Sequence, residues 1–237
     1  MKSISFKVFF VSSSFTQIRL TNLRDEVVRQ VRTAIIEGRL KPGDHIVEKN
    51  LTNELGVSRT PVREALILLE RERLVISEPN RGSFVRAFSE DDVQHIFSMR
   101  TTLENFAAEL VIHKLKQHHF EELHRLVEKQ RLAIEANDFK QVRSIDMSFH
   151  QLFIEQSEHP LLIRNWAELV AQIAAVLYMR AEAIPHYDEL LAVADHQHIL
   201  EAYEARALET VMALNRRINE RVASECRFAV DKLRPNL

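Results

Sequence analysis

Glycine is scarce in this chain of 237 residues: there are four, Gly38, Gly43, Gly56 and Gly82, where average usage of about 7% gives roughly seventeen. From Ser83 to Leu237 there are 155 residues without one. That stretch lacks the left-handed turn residue on which β-hairpins and phosphate-cradling loops depend, so Gly-rich nucleotide-binding folds are disfavoured there and helices are favoured. Cysteine is scarcer still. The single Cys226 excludes an internal disulfide framework and a Cys-based zinc finger, and it suits a reducing cytoplasm. Long apolar runs are also missing: no stretch approaches the ~20 residues of a membrane span. Near the N-terminus Lys7 interrupts the patch Phe6, Val8, Phe9, Phe10, Val11, which leaves too short a run for a signal peptide. Residues 1–20 read as a poorly ordered arm.

Charge and histidine divide the remainder. Residues 1–88 carry 15 Lys+Arg against 10 Asp+Glu, a net of +5, and residues 89–237 carry 17 against 24, a net of −7. The total of −2 hides this asymmetry, and ten of the eleven histidines fall in the acidic part. The two segments, 21–88 and 89–237, are expected to be separate domains with different chemistry.

In the basic segment, Leu23, Val27, Val31 and Ile35 repeat every four residues behind Asn22, a candidate cap, and predict an amphipathic helix ending near Gly38. Pro42-Gly43 marks a turn. Val47 to Leu55 predicts a second short helix, and Gly56 is placed to cap it in the left-handed conformation. A third helix starts at Ser58, whose hydroxyl is suited to accept a free backbone N–H, and it tolerates Pro61 in its first turn. Val62, Ala65, Leu66 and Leu69 form its buried face. This is helix-turn-helix spacing. Leu74 to Ser77 and Ser83 to Val85 then predict a two-stranded hairpin with a basic tip, a wing. Ser58, Arg59, Thr60 and Arg63 occupy the end of the third helix that a recognition helix presents to a major groove. Arginine offers a bidentate fork to guanine, while hydroxyls and the helix N-terminus suit phosphates.

The run LGVSRTPVREALILLERERLVISEPNRGSFV, with GRLKPGDHI before it, resembles the DNA-binding domain of the GntR family of bacterial transcription regulators. The resemblance implies DNA contacts at Lys49, Ser58, Arg59, Thr60, Arg63, Asn80, Arg81 and Gly82. One position departs: Arg73 stands where the family usually has glycine after the third helix. A left-handed non-glycine residue there costs about 1–2 kcal/mol; the alternative is a different helix end and a shifted wing.

The acidic segment opens with Ser89-Glu90-Asp91-Asp92, a capping-box pattern. Helical patterns run from there to about His113, then over Phe120–Ala136, Phe139–Gln156, Pro160–Ala181, Tyr187–Ala205 and Ala207–Val230, with breaks at Asn137-Asp138, His159-Pro160 and Ile184-Pro185. The expected fold is thus mainly α, a winged helix-turn-helix followed by an all-α antiparallel bundle of six helices. Asp146 and His150, four apart on an otherwise apolar helix face, are candidate ligands for a Zn²⁺-like ion, with His196 as a third from a facing helix. A buried hydrogen bond between the two is the alternative. His198 points elsewhere, and His118, His119 and His124 read as surface residues.

RTTLENFAAEL, DMSFHQLF, HPLL and DHQHILEAYEA are similar to the FCD effector domain of the FadR-like branch of that family, with the six-helix short form of VanR-like members the closer match. The resemblance implies a divalent metal, Zn or Ni, at the floor of a pocket for small carboxylates. Its ligands map to Asp146, His150 and His196, but the last family histidine falls on Ile218, beside Asn215 and Asn219. Either three protein ligands are completed by Asn219, water or effector, or the pocket binds its effector without metal. Arg100 and Arg180 are candidates to pair an anionic effector, the alternative being internal salt bridges.

Together these features predict a cytoplasmic, homodimeric, ligand-responsive regulator, a repressor by family analogy, on a pseudo-palindromic operator in double-stranded DNA, with no membrane partner. Two other classes stay open: a metal-dependent enzyme using the Asp/His cluster, and a winged helix that serves protein contacts only.

Overall fold

A computed structural model describes residues 21–184 and 187–233; the expected arm at 1–20 and Pro185 of one expected break lie outside them. Among the described residues the chain forms α1 (Thr21–Ile36), β1 (His45–Ile46), α2 (Glu48–Leu55), α3 (Arg59–Arg71), β2 (Val75–Glu78), β3 (Gly82–Val85), α4 (Glu90–Val111), α5 (Gln117–Glu135), α6 (Phe139–Gln156), α7 (Pro160–Ala183), α8 (Leu190–Glu204) and α9 (Leu208–Lys232).

The winged part follows from its apolar spacing. Val27, Val31 and Ile35 of α1 and Val62, Ala65, Leu66 and Leu69 of α3 are buried together, each large aliphatic side chain contributing about 1.5–3 kcal/mol. Leu23, expected on the same face, is solvent-exposed, and Asn22 lies inside α1 rather than ahead of it. Gly56 caps α2 at φ 64 as expected. Ser58 holds the cap position of α3, but its hydroxyl accepts no backbone N–H.

The wing has three strands instead of two, in the order β1-β3-β2 and antiparallel, with Ile46 opposite Ser83 and Val75 opposite Val85. Alternation puts Val75 and Val85 inward. Arg73 keeps the left-handed conformation at φ 57. The Arg73 N–H donates to the Glu70 carbonyl at 2.9 Å and that of Leu74 to Leu69 at 3.0 Å, the two bonds of a Schellman end, so the wing leaves α3 as a glycine would direct it.

Six helices, α4 to α9, follow. Asp92 N–H donates to Ser89 Oγ at 3.1 Å and Ser89 N–H to Asp92 Oδ2 at 2.9 Å, the expected capping box. The start of α8 falls at Leu190 rather than Tyr187. Helix ends without glycine are made by Asn137, Glu158 and Arg206, all left-handed at φ 53 to 56. Arg206 offsets its strain by donating to the carbonyls of Ile112 and Leu115, the latter at 2.7 Å.

Contrary to the expectation from sequence, α7 is long and apolar enough, by length and composition, to cross a membrane. Half of that window is buried within the protein, where Trp166, Ile173 and Val176 pack against α4, α6 and α9, so α7 is the central helix of the bundle.

One continuous core joins the winged and helical parts. Gly38, left-handed at φ 65, sits so close to Tyr178 of α7 that a Cβ there would overlap the tyrosine ring. Beside it Lys140 of α6 pairs with Glu37 at 2.6 Å, and Arg86, just past β3, pairs with Asp92 at 2.6 Å.

Candidate functional site

Two sites are built on this frame. At the winged end, Lys49, Ser58, Arg59, Thr60, Arg63, Asn80, Arg81 and Gly82 are all exposed. The first turn of α3 presents Arg59, Thr60 and Arg63, and the turn between β2 and β3 presents Asn80, left-handed at φ 62, and Arg81. Arg63 is paired with Glu48 at 2.9 Å and Arg81 with Glu78, both pairs at the surface, where such pairs are worth about 0–1 kcal/mol and are readily given up. Lys49 and Arg59 have no acidic partner among the described residues.

In the bundle, Asp146 and His150 of α6 meet His196 of α8. One ligand atom from each falls within 4.8 Å of the others. His196 Nε2 is 3.2 Å from Asp146 Oδ1 and 3.2 Å from His150 Nε2. Each imidazole is fixed from behind: His150 Nδ1 donates to Glu104 Oε1 at 2.9 Å, and His196 Nδ1 donates to the Gln130 side-chain carbonyl at 2.8 Å. The two Nε2 lone pairs therefore face one another and the Asp146 carboxylate. Three acceptors converging on one point fit a cation, and a carboxylate behind a ligand imidazole is the usual orienting arrangement. Phe149 stacks on His196 with ring centres 4.1 Å apart and closes one side.

Charge is balanced one layer out. Glu104 accepts from Arg100 at 2.8 Å and from Asn219 at 2.8 Å. Burial pushes its pKa up, but Arg100 and His150 outweigh burial and hold it at about 2. Asp146 is likewise held well below the carboxylate range: burial pushes it up, but its nearness to His196, His150 and Arg100 outweighs burial. His150 is pushed down by burial and then by Arg100, which favours the neutral imidazole a metal needs. Cys226, buried and pushed up to about 12 chiefly by burial, is not a ligand here.

The remaining sequence candidates divide. Arg100 and Arg180 line the same cavity as Asp146, His150 and His196, yet both are internally paired, Arg100 with Glu104 and Arg180 with Glu225 at 3.2 Å and Glu189 at 3.4 Å. Asn215 and Asn219 turn toward α4: Asn215 donates to Asn105 at 3.1 Å and Asn219 to Thr101 at 3.1 Å. Ile218, on another face of α9, lines the cavity instead. Asn219 supports Glu104 and is not placed as a fourth ligand.

Sequence reasoning passed over Glu104, Gln130, Arg143, Glu189 and Arg221. Glu104 carried a signal, since it lies four residues after Arg100 on one helix face. Gln130 carried another, as it occupies a position that continues the apolar spacing of Leu123 and Val127. Glu189, ahead of α8, and Arg221, on α9, sit in no apolar spacing or motif that marks them, and they had none. The cavity itself is narrow, about 40 Å³, space for a few waters, so an organic acid enters only as its lining side chains move.

Comparison with known proteins agrees with both halves. Residues 23–85 match the family model of bacterial regulatory proteins, gntR family, and residues 95–221 match that of the FCD domain. The chain is 31% identical over 194 residues, 80% of this chain and 83% of that protein, to a probable D-xylose utilization operon transcriptional repressor of Paenarthrobacter nicotinovorans. It is 26% identical over 175 residues, 73% of this chain and 72% of the other, to the gluconate operon transcriptional repressor of Bacillus licheniformis. The solved structure of E. coli McbR/YncC superposes with a TM-score of 0.75 at 26% identity, covering 86% of this chain and 96% of that one. The chain belongs to the gntR family of bacterial regulatory proteins, with an FCD domain following its winged helix, and is a transcription regulator.

Proposed function

We propose that the protein is a cytoplasmic, ligand-responsive repressor that binds a pseudo-palindromic operator as a homodimer. The observation that carries this reading is the exposed set of cations on the first turn of α3 and the wing tip, Arg59 without an acidic partner among the described residues and Arg63 and Arg81 in surface pairs only, set apart from the polar cluster buried in the bundle. Residues 21–88 act as the DNA-binding domain, with Arg59 and Arg63 reading base edges and Lys49, Ser58, Thr60, Asn80, Arg81 and the Gly82 backbone positioning the phosphates. Residues 89–237 act as the effector and dimerisation domain. A second copy is suited to cover α4, where Met99 and Phe106 are exposed two turns apart; Phe106 meets His159 beside exposed Leu161.

Asp146, His150 and His196 are the residues that would hold a divalent ion such as Zn²⁺ or Ni²⁺, oriented by Glu104 and Gln130. Bound there, the ion supplies a positive charge and an open coordination position for a carboxylate oxygen. The effector is a small carboxylate, and sugar acids are the first to try because one relative is named for a gluconate operon. The relatives are regulators, which favours this reading over a metal-dependent enzyme built on the same cluster.

A gel-shift titration on the chain's own upstream region, at several salt concentrations and with elemental analysis of the purified protein, tests it. Binding that weakens steeply with salt and is released by a carboxylate is expected. Salt-insensitive binding, or none to any fragment, overturns it; protein free of metal whose ligand response survives Asp146→Ala removes the metal from it.

A further inference from the structure

Four arginines line the cavity that holds the Asp146 cluster, and three of them are already matched by the protein's own carboxylates. Arg100 is spent on Glu104. Arg180 lies between Glu189 and Glu225, with Tyr187 stacked over it at 3.9 Å. Arg221 is bound by Asp195, by Glu225 at 3.4 Å and by the Tyr187 hydroxyl, to which it donates at 3.1 Å. The fourth, Arg143, has no acidic partner within salt-bridge distance among the described residues, and its guanidinium rests over the ring of Tyr178 at 5.4 Å. A cation held by a ring face is held less firmly than one in a bidentate charged pair. Arg143 also lies on α6 three residues before Asp146, so both reach the same cavity from one helix face.

Its other neighbours belong to the contact with the winged part. Tyr178, under Arg143, is the ring against which Gly38 is packed, and it donates to Glu182 at 3.0 Å. Lys140, one turn before Arg143 on α6, pairs with Glu37. One stretch of α6, from Lys140 to Asp146, therefore touches the end of α1 and the cluster at once. Arg143 further lines the cleft between α1 and α6 that holds Thr33 and Ile36.

We infer that Arg143 is the residue that captures the carboxylate of the effector, and that its departure from Tyr178 on doing so is the event that couples the cavity to the DNA-binding part. This rests on the reading of the cavity as an effector pocket. An anion entering a site whose other arginines are neutralised finds its unspent charge at Arg143. Drawing that side chain inward removes the cation from the Tyr178 face and loosens the seat of Gly38, and with it the end of α1. Linkage makes the effect reciprocal: operator binding that favours the seated Tyr178 weakens the effector by the same factor.

The test uses the full chain, D-gluconate and succinate as probes, calorimetry for probe affinity, and gel shift on the native upstream fragment with and without saturating probe. Circular dichroism melting accompanies every variant. Arg143→Gln is expected to weaken the probe about tenfold to a hundredfold, as loss of a charged hydrogen bond does, and, because it also removes the cation from the Tyr178 face, to shift DNA affinity of the probe-free protein toward that of the probe-saturated wild type. Arg143→Lys falls between. Tyr178→Leu keeps probe affinity and loses the probe's effect on DNA, an effect of about five- to 150-fold for an ordinary allosteric coupling, and Tyr178→Phe restores it. Should Tyr178→Leu fail to fold, Lys140→Met, which cuts the Glu37 contact at the surface, is expected to reduce the same response. Probe binding by Arg143→Gln equal to the wild type overturns the inference while leaving the pocket reading intact, as does a full DNA response in both Tyr178→Leu and Lys140→Met. A wild-type protein that binds neither probe overturns the pocket reading and the inference with it.

Discussion

The winged part wears the cations of its site on the outside, and the helical part keeps two of its arginines inside. Arg59, Arg63 and Arg81 are exposed, with at most one loose surface partner each, whereas Arg100 and Arg180 are buried between carboxylates. The difference follows from what each must meet. A polyanion arrives with its own charge and displaces counterions, so exposed arginine needs no partner beforehand. A buried arginine without a carboxylate would leave an uncompensated charge in a medium that penalises it heavily.

The contrast is broken most forcefully at Glu104, which accepts from Arg100, His150 and Asn219 at once. Glu104→Ala is expected to destabilise the protein by about 3–5 kcal/mol in urea unfolding; a loss below ~1 kcal/mol would mean that the bundle tolerates an unpaired Arg100. Acid acts on the same group. Because the folded pKa of Glu104 is depressed from 4.5 to about 2, its stabilisation is complete above about pH 4.5 and is lost as pH falls toward about 2, a window that unfolding curves across that range would trace.

Arg59→Ala should cost about 1–3 kcal/mol of operator affinity while leaving the melting temperature where it was; a shift in melting without a shift in affinity would reverse the assignment of roles. Arg73→Gly removes left-handed strain of about 1–2 kcal/mol at an exposed position but loosens the unfolded chain by about 0.4–1 kcal/mol, so a net gain of about 0–1.5 kcal/mol is expected in chemical denaturation. The smallest change is Glu48→Ala. It frees Arg63 and should alter stability by about 0–1 kcal/mol, with DNA binding equal to or tighter than wild type in the gel shift; weaker binding would show that Glu48 holds Arg63 in place for DNA.

Most of the helices were legible because their faces are continuous: α3, α6 and α7 are bounded by a cap, a proline or an Asn-Asp turn and carry apolar residues at helical spacing. The strand β1 was not legible. Two residues make no alternation, and His45–Ile46 becomes a strand only because β3 lies beside it. In the cluster, Asp146 and His150 could be read from their spacing, and His196 as a candidate from a facing helix that the family pattern also marks. Their orienting partners could not, since Glu104 and Gln130 reach them across 46 and 66 positions of sequence. Counting along α9 placed Asn215 and Asn219 near the cavity, but the rotation of that helix against α4 decides which face enters it, and rotation is set by packing.

The left-handed helix ends at Asn137, Glu158 and Arg206 have a consequence outside the native fold. Each strains the folded chain where glycine would not, yet a backbone with no glycine from Ser83 onward also has fewer conformations to explore when unfolded, by about 0.4–1 kcal/mol for each glycine replaced by alanine at a compatible site. Most of α4 to α9 takes that benefit at no local strain. The bundle's resistance to unfolding is thus set in part by how little disorder its denatured chain can gain.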